Sequence, residues 1–433
     1  VRRAAPRASA LNSSAGRSSG LFLSRITTLR PPVEIALRSM KCRLILTILV
    51  LPIIIAARLP AAFNPDSPLY SRVAGRIEIP AELCDKTLFV KVAINGHGPF
   101  RMMVDTGASV TMITPAVAAA INEGVEDDEE APVEAINGFG NESALSCVLL
   151  RTLEMNGAQF EGVRAGVVTG LAPLAQASGQ KVDGVIGFSL FSNVFVALDF
   201  PGRRLVLDAG WPKNLAPIRA ELDVHEAHEV PFVTARLQGR NLDLMIDTGS
   251  NRGLLVTPEM AEPLTWKAEP RPGPLVSVIG QTAREYVGRA GGELHVEQVT
   301  QIEPIVAISD GEPSLGVEFL QRFCVVFDQA HDKMWLCAAG DDPVPSPAEH
   351  SLGLSLIQDG AGWRVAATIP GSPAEGVGIV SGDIVTRIEG KPATRWSRDQ
   401  IDQWTDGHSQ VALSIRHDRS SRDITLPVWA LVP

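Results

Sequence analysis

Two carboxylates in this sequence stand where carboxylates are costly. Asp105 falls inside the apolar run PFRMMVDTGASVTMITP (99–115), and Asp247 inside LMIDTGSNRGLLVTP (244–258). An unpaired charge in such a strand-like segment costs on the order of several kcal/mol, so the group is paired, protonated or used. Each Asp is followed by Thr-Gly. A single Asp-Thr-Gly is ordinary turn chemistry; two copies in matching surroundings ask for more. Face to face at about 3 Å, two carboxylates cannot both ionise cheaply and would share one proton. One is then a general base for a bound water, while its protonated partner donates to a carbonyl oxygen at the same pH. The chemistry implied is attack of water on a peptide carbonyl with no covalent intermediate.

The elements that must position these acids are duplicated. VKVAINGHGPFRMMVDTGASVTMITPAVAAAI (90–121) has a counterpart in VTARLQGRNLDLMIDTGSNRGLLVTPEMAEPL (233–264). Both show an alternating strand, a Gly-containing turn, a second strand ending in Asp-Thr-Gly, an apolar run, a Thr-Pro and a short helix-like segment. Further on, VDGVIGFSLFSNVFVALDFPGRRLVLDAG (182–210) matches PSLGVEFLQRFCVVFDQAHDKMWLCAAG (313–340): an apolar-apolar-Gly turn, a Phe-containing segment, a strand ending in Asp199 or Asp328, and a returning strand. Matched features in one order and at similar spacing mean two homologous β-rich lobes, each delivering one Asp. In such a pair Thr106 and Thr248 would bond across the dyad, and Gly107 and Gly249 would leave room for backbone N–H groups to approach the carboxylates.

Val104-Asp105-Thr106-Gly107-Ala108-Ser109, Ile246-Asp247-Thr248-Gly249-Ser250, Ile186-Gly187 and Leu315-Gly316 resemble the aspartic proteases, specifically retropepsin-like bacterial proteins with two lobes fused in one chain. The resemblance covers about residues 76–340. It implies a mainly β fold of two acid-protease barrel lobes, at 76–210 and 229–340 with a linker at 211–228. It also implies a catalytic pair Asp105 and Asp247, an extended protein or peptide substrate between the lobes, and neither cofactor nor metal. The position three after each Asp is Ala108 in one lobe and Ser250 in the other. A Ser hydroxyl there stabilises a carboxylate, so Asp247 is expected to ionise first and Asp105 to hold the proton. No Tyr occurs in VEAINGFGNESALSCV, where a flap over the cleft would fall, which leaves Phe139 as the covering aromatic.

GDDPVPSPAEH (340–350) reads as a linker, assigned to 341–349, from its prolines and acids. Beyond it, ATIPGSPAEGVGIVSGDIVTRIEGKPA strings together a strand, a turn, a short helix and a second strand, and resembles a PDZ domain over 350–433. In SRDQIDQWTDG, Ser397 and Gln400 fit a capping box, Ile401 with Trp404 or Thr405 makes one helical face, and Gly407 is a stop. The resemblance implies a peptide ligand added as a strand beside this helix, with Leu352, Gly353 and Leu354 in SLGLSL at the carboxylate-binding loop and Ile401 on the helix. A packing module without a ligand is the alternative, and a non-catalytic peptide-binding scaffold is the rival to the whole enzymatic reading.

The 433 residues carry a net charge of −10, distributed unevenly. Residues 1–62 hold ten Arg or Lys against Glu34 alone, so the remainder carries about −19, which argues against nucleic acid as a partner. Met40 to Arg43 are followed by fourteen uncharged, mostly apolar residues, Leu44 to Ala57, the length of a secretory signal and short of a spanning helix. ARLPAA lacks a clean cleavage pattern, so an uncleaved membrane anchor stays open beside a signal peptide. Residues 1–39 have transit-peptide composition, or else Met40 is the true start. Either way the chain is expected to be exported, periplasmic or anchored facing the periplasm. Four cysteines follow the leader, and Cys324 and Cys337 could bridge across a hairpin. VHEAHEV spaces His225 and His228 by three where a zinc helix needs four, and EDDEE (126–130) reads as a solvated loop.

Overall fold

The computed structural model describes residues 68–433 except 122–125, 128–132, 137–141, 170, 172–178, 180, 228, 279–280 and 341–342. The leader at 1–62, Phe139 and His228 lie outside the described residues. The fold is mainly β. Lobe 1 contains β1 (Thr87–Ile94), β2 (His97–Val104), β3 (Thr111–Ile113), α1 (Pro115–Ala120), β4 (Glu142–Met155), β5 (Ala158–Val167) and β6 (Gly184–Ile186), followed by the hairpin β7 (Phe195–Asp199) and β8 (Arg204–Asp208). Lobe 2 contains β9 (Val230–Leu237), β10 (Arg240–Asp247), β11 (Leu254–Val256), α2 (Pro258–Ala261), β12 (Trp266–Val278), β13 (Gln281–Ala290), β14 (Ile305–Ile308) and β15 (Ser314–Gly316), followed by the hairpin β16 (Cys324–Asp328) and β17 (Lys333–Cys337).

The duplication read from sequence recurs strand by strand. The central order is β5-β3-β6-β2-β1 in lobe 1 and β14-β11-β15-β10-β9 in lobe 2. β3 lies parallel to β5 and antiparallel to β6, and β11 relates to β14 and β15 in the same way. Local chemistry explains the match. The β1–β2 and β9–β10 hairpins turn on Asn95-Gly96 and Gln238-Gly239, whose positive φ values suit the right-handed strand twist. Thr114 and Thr257 cap α1 and α2 by accepting from Val117 N (3.4 Å) and Met260 N (3.3 Å), with proline opening each helix. In β10 the exposed Asp243 alternates with buried Leu242 and Leu244, which turns the strand's apolar face inward.

The two returning hairpins lie side by side in a six-stranded sheet, where β7 pairs antiparallel with β16, Val196 opposite Phe327 and Leu198 opposite Val325. Ile77–Pro80 closes one edge and Ile218–Asp223, inside the segment expected as a linker, closes the other. Cys324 and Cys337 do stand opposite each other in the β16–β17 register, but both are free thiols, so the bridge the sequence allows is not formed. Burial pushes the Cys337 thiol up to about 11 and Cys324 higher still, which keeps both protonated.

The C-terminal module comprises β18 (Glu349–Ser351), β19 (Leu354–Asp359), β20 (Gly362–Thr368), β21 (Ile384–Ile388), α3 (Arg398–Gly407), β22 (Gln410–His417), β23 (Ser420–Pro427) and β24 (Trp429–Val432). Its sheet runs β19-β20-β21-β22-β23, and β18 pairs separately with β24. Trp363, Val365, Ile388, Ile401 and Leu426 form its own core. The capping box at Ser397 and Gln400 is present, and α3 buries Ile401 and Thr405. The module is seated on lobe 2: Ile369, Leu431 and Val432 pack on Val287 and Ala307 in one buried cluster. The segment before it is fastened too. Val344 N donates to Thr300 O (2.7 Å), and the buried Arg289 donates to Ser346 O (2.9 Å), Pro347 O (3.0 Å) and Pro433 O (2.6 Å).

Candidate functional site

Asp105 sits just beyond the end of β2 and Asp247 is the last residue of β10, at corresponding points of the two lobes. Asp105 N donates to Ile186 O (3.1 Å), and Phe188 N and Val317 N donate to Ala108 O (2.7 Å) and Ser250 O (2.8 Å), so each Asp loop is pinned by its apolar-Gly partner. A Cβ on Gly187 would lie 2.4 Å from Val110 O, and one on Gly316 2.3 Å from Arg252 O, which is why glycine is needed at both.

The loops are stitched together reciprocally. Thr106 N donates to Thr248 Oγ1 (3.0 Å) and Thr248 N to Thr106 Oγ1 (3.1 Å). The hydroxyls in turn donate across the boundary, Thr106 Oγ1 to Ile246 O (2.5 Å) and Thr248 Oγ1 to Val104 O (2.9 Å). Both threonines are buried, at 1% and 0% exposure, so the bonds are shielded from water. Thr248→Val would leave Thr106 N and Val104 O unpaired inside the protein, at about 1–3 kcal/mol for each. We expect a urea midpoint lowered accordingly, and an unchanged midpoint would contradict this accounting.

Gly107 N donates to Asp105 Oδ1 (2.9 Å) and Gly249 N to Asp247 Oδ1 (2.8 Å). A Cβ on Gly107 would lie 2.7 Å from Asp247 Oδ1 and 3.3 Å from Asp105 Oδ1, so the two carboxyl groups sit side by side. Burial raises the Asp105 pKa well above the ordinary Asp range, helped by the Asp247 charge and opposed by the amides of Gly107 and Gly249. Burial raises Asp247 as well, but the Gly249 amide, the Asp105 carboxyl and the Ser250 amide pull it back. Both carboxyls are pushed toward the protonated form, Asp105 the further, as fits a pair that shares one proton.

An asymmetry was expected from the Ser250 hydroxyl, and the loop supplies one by another route. The Ser250 backbone N–H, not its hydroxyl, donates to Asp247 Oδ1 (3.1 Å), while the hydroxyl accepts from Arg252 N (3.4 Å). In lobe 1 the matching Ala108 N turns to Asp105 O (3.4 Å), so the amide three residues on does not reach that carboxyl. Main-chain direction, and not the Ser250 hydroxyl, creates the asymmetry.

Space around the pair is tight. A Cβ on Gly249 would stand 2.5 Å from Asp105 Cγ, and one on Gly107 2.7 Å from Asp247 Oδ1. Gly249→Ala should displace the Asp105 carboxyl, with a loss of about 1–3 kcal/mol of stability by overpacking and loss of any cleavage that needs both acids. A normally active, normally stable Gly249→Ala protein would show that the carboxyls need not be this close.

Of the residues expected in the module's peptide groove, Leu352, Leu354 and Ile401 meet in one buried cluster. Gly353 takes a positive φ, which glycine allows, but its amide already donates to Ser351 Oγ (2.9 Å), and the carbonyl accepts from Ile369 N (2.8 Å). Sequence reading missed Arg252, Glu285 and Glu349, which meet beside the Asp247 loop; Arg252 donates to both carboxylates. The one available signal was a lone cation five residues after Asp247. Among the described residues no group of three or more His, Cys, Asp or Glu is placed to hold a metal ion, and His225 faces Asp243 instead.

Residues 90–190 match the family model described as aspartyl protease, and residues 344–416 that of the PDZ domain. No curated protein matches the chain. Among solved structures, a PDZ domain protein from Parabacteroides distasonis ATCC 8503 is similar at 26% identity, over 19% of this chain and 21% of that one, with a TM-score of 0.18. The chain thus spans about a fifth of that protein's length. The match at 90–190 covers the first Asp loop with its pinning turn, and the strand order of lobe 2 repeats that segment. The chain is a mainly β protein that carries an aspartyl protease domain and, at its C-terminal end, a PDZ domain.

Proposed function

We propose that the protein is an aspartic endopeptidase that hydrolyses peptide bonds with a water activated between Asp105 and Asp247. The carrying observation is the convergence of two buried carboxyls from separate lobes in a pocket of backbone donors. Asp247 removes a proton from the water as its oxygen bonds to the peptide carbon, and Asp105 gives its proton to the carbonyl oxygen. The tetrahedral product collapses when the proton now on Asp247 passes to the amide nitrogen, Asp105 takes a proton back from one of the two hydroxyls, and the C–N bond breaks, which restores the pair. Thr106 and Thr248 hold the two loops at the spacing this requires.

The PDZ match supports recognition of a peptide, a substrate segment or a partner, at β19, the edge strand of its sheet. The basic start at Met40 and the uncharged run to Ala57 support export, by a cleaved signal or a retained anchor. Cell fractionation checks that, and an exclusively cytoplasmic protein would reject it. The enzymatic reading is tested with a mixed peptide library offered to wild type and Asp105→Asn across about pH 3 to 8, where carboxyl pairs titrate. Cleavage by wild type alone is expected. Equal activity in both, or none in either, would favour a non-catalytic peptide-binding scaffold.

A further inference from the structure

Lobe 2 holds its Asp loop differently from lobe 1. Three residues, Ala108-Ser109-Val110, separate Gly107 from β3, whereas four, Ser250-Asn251-Arg252-Gly253, separate Gly249 from β11. That segment is one braced piece: Ser250, Arg252 and Gly253 carbonyls accept from Val317 N (2.8 Å), Glu318 N (3.3 Å) and Gly316 N (3.0 Å). At its head are the Gly249 and Ser250 amides that hold Asp247 Oδ1. Whatever moves Arg252 moves those amides.

The Arg252 side chain is 14% exposed and lies between two carboxylates from distant parts of the chain. Glu285, on β13 and 1% exposed, is one. Glu349, on β18 of the C-terminal module, is the other, at 2.9 Å and 23% exposed. Glu285 cannot lose its guanidinium without becoming a buried unpaired charge, so that half of the contact is permanent. Glu349 is the half that reports where the module sits.

A second contact reaches the same corner through lobe 1. Asp85 N donates to Asp399 Oδ1 (2.8 Å) in the first turn of α3, and the neighbouring Lys86 pairs with Glu318 (3.1 Å), whose own amide bonds Arg252 O. Both paths are continuous contacts between the module and the loop that carries Asp247.

The seat itself replaces part of lobe 2. Met112, Gly166 and Cys147 form one row across three strands of lobe 1, and Leu255, Ala307 and Val287 form the matching row in lobe 2. In lobe 1 this face is covered by the lobe's own Val168, Leu171 and Val182; in lobe 2 the cover is Ile369, Trp429, Leu431 and Val432 of the module.

We propose that Arg252 is a positioning residue through which the C-terminal module sets the amide cradle of Asp247, so that the module governs turnover without entering the cleft. The turnover part rests on the peptidase reading; the cradle part does not. The test uses the full chain with Glu349→Gln, which keeps the shape and removes one charge. Hydrogen exchange at the Gly249 and Ser250 amides should accelerate about 3- to 30-fold, the range for one coupled residue remote from the chemistry, while β1 and β2 exchange as in wild type. The kcat for peptide cleavage should fall by a comparable factor with KM within about twofold. Arg252→Lys, which keeps the charge but not the fork, should fall between wild type and the double variant Arg252→Met/Glu285→Met, in which no buried charge is orphaned. Unchanged exchange in Glu349→Gln overturns the proposal, as does uniform acceleration through the whole chain. If wild type cleaves nothing, the peptidase reading fails and the exchange result alone decides this one.

Discussion

Asp247→Asn should reduce peptide cleavage by about 10⁴-fold or more, the scale for losing one member of a catalytic unit, and Asp105→Asn should do the same. Asn at 247 cannot take the proton from water, and Asn at 105 cannot deliver one as an acid would. The acids share one proton, so the double variant should be scarcely worse than either single one, which a kcat comparison checks. Wild-type activity should require the singly protonated pair. Burial and the Asp247 charge raise Asp105, so the alkaline limb of the pH profile should fall well above the ordinary Asp range. The same shift makes a stability statement. A carboxyl whose folded pKa is raised contributes stability that is fully present below its unfolded value of about 4. That contribution is lost as pH rises through the folded pKa. Wild type should therefore weaken on going from acid to neutral pH, and Asp105→Asn should weaken less. A variant that follows the wild-type pH dependence of the urea midpoint would show that Asp105 titrates normally. Retained cleavage in either Asn variant would remove the two-acid mechanism altogether.

Ending the chain after Gly340 should leave a protein that cannot hold lobe 2 together. The truncation removes Ile369, Trp429, Leu431 and Val432 from Val287, Ala307, Leu255 and Ile305. It also leaves the 5%-exposed Arg289 guanidinium without Ser346, Pro347 and Pro433 as acceptors. Exposing side chains of this size costs about 1.5–3 kcal/mol each, and the sum is comparable to the whole stability of an average domain, about 5–15 kcal/mol. We expect rapid proteolysis in the β12–β13 hairpin and no activity, even though both Asp-Thr-Gly loops are present. A truncated chain with the full-length urea midpoint and protease resistance would show the module to be an independent appendage. This outcome differs from that of Glu349→Gln, where the seat stays in place and only the signal through Arg252 weakens.

Much of this architecture was written in short-range chemistry. The two Asp-Thr-Gly loops, the hairpin turns at Asn95-Gly96 and Gln238-Gly239, the Thr-Pro helix starts and the Ser397–Gln400 capping box each depend on residues within a few positions of one another. The duplication turned those local signs into a global one, because a motif that is uninformative once becomes a pair of facing acids when repeated in the same frame. What the residue order left open were the questions that depend on direction or distance in space. Ser250 looked like a hydroxyl donor, yet the loop turns its amide to Asp247 instead. Cys324 and Cys337 stand opposite each other without bonding, and a proline-rich stretch that reads as a free linker is held by Arg289 and Thr300. Arg252, Glu285 and Glu349 are separated by 33 and 97 positions from the guanidinium to each carboxylate, so no local pattern couples them. Sequence alone determined which groups could do chemistry and that they come in two copies. Only the folding of distant segments onto each other decided how deeply the two acids are buried and what braces each of them, because burial and amide direction are properties of packed neighbours and not of neighbours in the chain.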